Sequence, residues 1–177
     1  MLSPQASLNL RLDLYGVDAE IVAAGRRFWH ALRPEFNDIT LRFYDRLRAN
    51  PETARFLPGE RGIERLRAAQ SVHWEDLFAG HFDTAYVRRV QHTAEAHMRA
   101  RLPNTHYMAA YEFFLNELVA RAERLFQDPE DRRPIVAAIH KLVMIDMDLT
   151  MSFYMQRLVR AGAADHAADH EHAHENA

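Results

Sequence analysis

Apolar residues recur at helical spacing from residue 18 to about residue 160, and no stretch sustains the alternation of β-branched residues that a strand requires. The pattern predicts an all-α chain. Asp18 is placed to cap a helix reading AEIVAAGRRFWHAL, and Pro34 stands in the first turn of the next, PEFNDITLRFYDRLRAN. Pro51 opens a short helical turn ending near Leu57, and Pro58, Gly59 and Gly62 separate it from a helix over 63–79 that Gly80 closes. Asp83 is positioned to cap DTAYVRRVQHTAEAHMRA. Pro103 and Asn104 then interrupt the chain before a long helix carrying Tyr107, Tyr111, Phe114 and Leu118. A last helix begins around Asp128 or Pro129 and sets Ile135, Ile139, Leu142, Ile145, Leu149 and Phe153 on one broad face.

Composition divides the chain into an N-terminal segment over 1–17, one helical domain over 18–160, and a tail over 161–177, AGAADHAADHEHAHENA. The tail has almost nothing to bury and is expected to be disordered or a frayed helix end. With 177 residues and 48% hydrophobic content, one sizeable core is available. The net charge is −3, and Lys and Arg are scattered, which gives no electrostatic reason to expect a nucleic-acid partner. There is no cysteine, so disulfides, thiolate metal sites and covalently attached c-type haem are all excluded, and a reducing, cytoplasmic setting is expected. No apolar run approaches the ~20 residues of a membrane span, and the N-terminus lacks a secretory signal.

The residues best suited to chemistry are histidines, of which there are 11. His30, His81 and His92 sit among polar neighbours, whereas His73, His97 and His140 lie on helices rich in apolar residues. A neutral imidazole projecting into an apolar interior is what a five-coordinate haem iron takes from its protein. Periodicity alone does not choose among these three. His166, His170, His172 and His174 in the tail have the ligand type for a transition metal, though flexible histidine-rich segments bind metals weakly without serving a metal function.

The choice comes from the stretch HMRARLPNTHYMAAY at 97–111, in which Arg99, Leu102 and Tyr107 follow His97 at two, five and ten residues. It resembles the proximal segment of the globin-coupled sensor family. Three more segments agree in order: LRFYDRL at 41–47 is similar to that family's distal tyrosine helix, RLRAAQSVHWEDLFAG at 65–80 to its distal helix, and KLVMIDMDLTMSFY at 141–154 to its terminal helix. The chain departs from the family at Arg101, where glycine is usual, and at His106, where an aromatic is common, so the turn after His97 is expected to be built differently.

The resemblance implies a globin fold with an extra N-terminal segment, a three-over-three helical sandwich around haem b (iron protoporphyrin IX). His97 would be the proximal iron ligand. Its Nδ1 proton would go to a carbonyl of its own helix or to the oxygen of Tyr107. Tyr44 would give a hydrogen bond to dioxygen on the open side, with carbon monoxide gaining less. Phe43, Val90 and the face formed by Leu66, Ala69 and Gln70 would line the pocket, and His73 would be structural. The implied activity is reversible binding of O2, also of CO and NO, for signal transduction. No catalytic role is expected in this chain; an output domain would lie outside it, and a homodimer would form through the last two helices. The rival expectation is a stand-alone globin with nitric oxide dioxygenase or peroxidase-like chemistry.

Overall fold

A computed structural model of the chain describes residues 3–175 of the backbone, with the side chains of Leu158 and of 160–177 outside the described set. The elements follow the capping signals closely. Helix α1 (Pro4–Leu14) precedes α2 (Ala19–Leu32), whose N-terminus is closed by the Asp18 carboxylate accepting from the Ile21 N–H at 2.9 Å. Proline 34 bends the chain through a single 3-10 turn, Arg33–Glu35, into α3 (Phe36–Ala49) and the short α4 (Pro51–Ala54). Helix α5 (Glu60–Ala79) stops at Gly80, whose φ of 65° lies in the left-handed region. Asp83 then accepts from the Tyr86 N–H at 2.8 Å to start α6 (Thr84–Arg99), and α7 (Asn104–Leu125) and α8 (Pro129–Glu175) complete the order.

Helices α2, α5 and α6 form one layer, laid over a second made of α3, α7 and α8, with α8 packed against α2, α6 and α7. At Gly25 the α2 backbone comes so near α8 that an added Cβ would stand 2.6 Å from a Leu142 methyl. The core is heavily aromatic: Phe28, Trp29, Phe36, Phe43, Trp74, Phe78, Phe113 and Phe114 interlock at ring-centroid separations of 4.8 to 6.3 Å.

Three features of the packing go beyond what periodicity gives. The N-terminal segment is largely a helix, which inserts the fully buried Leu8 against α6 and α8 and is tied to α8 by Arg11 Nε donating to Asp148 at 2.8 Å. The apolar face of α8 is turned into the core: Ile135, Ile139, Leu142, Ile145 and Leu149 are all 0–4% exposed, and Phe153 is partly buried against them. The α8 backbone stays helical through Glu175, as alanine-rich sequence favours; the side chains of the tail histidines lie outside the described residues. No helix among the described residues is long and apolar enough to cross a membrane.

Candidate functional site

His97 sits in the last turn of α6, half-buried, and burial lowers its pKa below the usual imidazole value, so the ring is neutral near pH 7. Its Nδ1 is fully buried and has no hydrogen-bond partner. The Thr93 carbonyl one turn earlier favours the protonated ring without reaching hydrogen-bond geometry, and the charge of His73 disfavours it. The His97 ring stands edge-on to Tyr107 at 5.1 Å, yet the Tyr107 hydroxyl pairs with Tyr111 at 3.0 Å. Of the two acceptors expected for Nδ1, neither is engaged.

The turn after His97 is a two-bond helix stop. Leu102 N–H donates to the His97 carbonyl at 3.1 Å and Arg101 N–H to the Met98 carbonyl at 3.0 Å, with Arg101 in the left-handed region at φ 54°. The spacing of His97, residue 101 and Leu102 thus has a physical basis: the histidine lies three positions inside the helix end, residue 101 must turn left-handed, and Leu102 lands against the core. Arginine replaces the residue best suited to that backbone, but the turn keeps its form.

The distal candidates divide into two groups. Tyr44 is 5% exposed on α3, edge-on to Phe43 at 5.2 Å. Burial pushes its pKa up to about 12, with Arg67 pulling the other way, so its hydroxyl stays a proton donor at neutral pH. On α5, Gln70 is half-buried with a buried, unpartnered Oε1, while Ala69 is exposed and Leu66 is 41% exposed. Val90 is packed into the core between helices, as is Phe43 against Phe113 and Phe114. Helices α5 and α6 each lean on α8 but barely pack on one another among the described residues. At one end they are clamped, by Arg89 and Asp76 at 2.7 Å. A shallow cleft of about 230 Å³ where α2 meets the end of α5, lined by Arg26, Trp29, His30, Glu75, Phe78 and His81, contains none of the expected site residues.

Beside His97 lies a polar cluster that the periodic reading does not single out. Asp146 of α8 is 0% exposed, and it accepts from Tyr86 Oη at 2.5 Å through Oδ1, and from Tyr111 Oη at 2.6 Å and His73 Nε2 at 2.8 Å through Oδ2. Burial by itself would raise the Asp146 pKa, but His73 and the phenols outweigh it and hold it below the usual carboxylate range. His73 is raised in turn, burial being overcome by the Asp146 charge and hydrogen bond. His73 is therefore engaged structurally, and His140, the third histidine on an apolar helix, is exposed and bonded only to the Val136 carbonyl at 2.8 Å. His97 is the one left with a bare, buried ring nitrogen among these three.

Two solved structures share this fold. The globin domain of a Geobacter sulfurreducens globin-coupled sensor superposes with a TM-score of 0.77 at 25% identity, covering 82% of this chain and 96% of that one. The ferric globin domain of E. coli DosC gives a TM-score of 0.69 at 17% identity, over 81% of this chain and 99% of that one. The family model described as Protoglobin matches residues 5–160. The chain belongs to the protoglobin family. No curated protein matches it. The family match begins inside α1, so the N-terminal helix is part of the protoglobin unit and not an appendage to it. In this protoglobin the helix order and its packing form the globin fold that the segment resemblances imply. The signal for Asp146 was present in the sequence as an acidic residue four positions after Leu142 and four before Thr150 on an otherwise apolar face, opposite the i, i+4 pair Tyr107 and Tyr111.

Proposed function

We propose that this protoglobin is a haem-based sensor domain for a diatomic gas, with His97 as the proximal iron ligand and dioxygen as the gas. The observation that carries the reading is the His97 imidazole: neutral, in the last turn of α6, and with a buried nitrogen that finds no protein partner. The residues present fit a haem. The exposed Leu66 and Ala69 lie at i and i+3 on α5 and would gain cover from a flat apolar group. With no cysteine in the chain, the group would be haem b held without a covalent link. When bound, ferrous haem supplies an open coordination position for the gas.

The protein residues then divide the work. His97 holds the group from one side, and its own basicity depends on what its Nδ1 proton meets. Tyr44, protonated across the physiological range, supplies a donor that discriminates between gases by polarity: a hydrogen bond of about 0.5 to 1.5 kcal/mol changes affinity by up to roughly tenfold. Helices α7 and α8 would join two copies through apolar side chains left outside the core, Met108, Met155 and Val159, which are 41%, 55% and 68% exposed. Signalling output would then pass along α8 to a partner.

An absorption spectrum of the purified chain tests the reading. A Soret band that is lost in His97→Ala supports it, and an unchanged band with stably held haem in that variant removes His97 as ligand. Tyr44→Phe is expected to speed dioxygen dissociation by up to roughly tenfold and carbon monoxide dissociation less. Equal rates in both proteins would remove Tyr44 from the site.

A further inference from the structure

Asp146 has more donors than its charge needs. Its Oδ1 takes the Tyr86 hydroxyl and its Oδ2 takes both His73 and the Tyr111 hydroxyl, the phenols at the short distances of 2.5 and 2.6 Å typical of bonds to an ionised acceptor. His73 and Tyr86 alone would occupy one lone pair on each oxygen and offset the charge. The Tyr111 bond has a further effect. A phenol carries one proton, and that of Tyr111 is committed to Asp146. The 3.0 Å contact between the Tyr107 and Tyr111 oxygens is then a hydrogen bond only if Tyr107 donates. Two protons in a row therefore point toward α8, and on its remaining side the Tyr107 oxygen offers lone pairs. That tyrosine stands edge-on to His97, whose buried Nδ1 has no acceptor.

We propose that Asp146 is a positioning residue for the proximal ligand: its carboxylate orients the Tyr111 and Tyr107 hydroxyls in one direction, so that His97 meets a phenol oxygen rather than a phenol proton. The inference rests on the reading of His97 as the iron ligand. A ring whose Nδ1–H side faces lone pairs is a more basic ligand than one facing a donor. With Asp146 neutral or amidated, the two hydroxyls are free to reverse and the ligand weakens. Because Asp146 is carried by α8 and the two tyrosines by α7, the second helix layer of the fold thereby sets the electronic character of a residue in the first.

The test is the iron–histidine stretching frequency of the ferrous, gas-free holoprotein by resonance Raman. Asp146→Asn and Tyr111→Phe are expected to lower it, in the same direction as Tyr107→Phe, and Asp146→Asn added to Tyr107→Phe is expected to shift it no further. Tyr86→Phe removes an equally short bond to the same carboxylate but lies off the route, and should leave the frequency at its wild-type value. Unmoved frequencies in both Asp146→Asn and Tyr111→Phe overturn the proposal, as does a shift in Tyr86→Phe equal to that in Tyr111→Phe, which would mark general loosening. If Asp146→Asn does not fold, Tyr111→Phe, which deletes a single oxygen, decides alone. A chain that takes up no haem overturns the functional reading and this inference with it, whereas a normal Soret band with unmoved frequencies overturns this inference only.

Discussion

His97 and Asp146 are polar groups buried among packed helices, and the protein treats them oppositely. Asp146 is met by donors from three other helices and leaves neither oxygen bare. His97 has a buried nitrogen that nothing meets. Burying a polar group costs free energy that a partner offsets, and His97 Nδ1 is among the buried atoms this fold leaves unmet, with Gln70 Oε1 and His106 Nδ1. The difference separates two uses of a buried polar side chain: Asp146 belongs to the architecture, whereas His97 is held ready for something the chain itself does not supply.

Matched substitutions break the comparison most sharply. Asp146→Leu removes the acceptor but leaves His73 and two phenols without it, and urea unfolding of the haem-free chain should register a loss of about 3–5 kcal/mol. His97→Leu exchanges a poorly satisfied imidazole for an apolar side chain of similar size, and the same measurement should register no loss or a small gain. A comparable loss in both would mean that His97 is as structural as Asp146.

A pH series sharpens the Asp146 side. The folded His73 pKa lies above 6.5, so the stability it contributes is fully present below 6.5 and is lost as pH rises through its folded value. The folded Asp146 pKa lies below 3.8, so its contribution is present above 3.8 and is lost as pH falls through the folded value. The His73–Asp146 pair should therefore contribute most in mildly acid solution, against an opposing loss from His97, whose folded pKa lies below 6.5. His73→Gln should flatten the alkaline arm, with Asp76 and Arg89, the other charges acting on His73, left in place. An alkaline arm that survives the substitution would assign it to another group. The smallest effect concerns the His97 side: Arg101→Gly relieves a left-handed backbone at φ 54° and should raise the unfolding free energy by about 1 kcal/mol without displacing the Soret band.

The helices were readable in the sequence because their ends carry chemistry: Asp18 and Asp83 as caps, Pro34, Pro51 and Pro103 at starts, and Gly80 at a stop. Helix α1 was not readable as such, because it buries only Leu8 outright and has no apolar face to announce it. The same limit hid the polar cluster. Asp146 reads along the chain as an interruption of an apolar stripe, and its partners Tyr111, Tyr86 and His73 lie 35 to 73 positions away, so only the packing of α5, α6 and α7 on α8 brings them together. His97 required the wider pattern of Arg99, Leu102 and Tyr107, since its own surroundings are no more apolar than those of His73. The exposure of Leu66 and Ala69 depends on how α5 and α6 diverge, which periodicity does not encode.

The stop at the end of α6 gives His97 a double attachment. Its ring stands against Tyr107, and its carbonyl is the anchor on which Leu102 closes the turn into α7. A tug on the ring is thus also a tug on the corner between two helices. The residue proposed as the iron ligand is thus a mechanical joint as well, and there is no slack backbone between it and the bend to absorb a displacement.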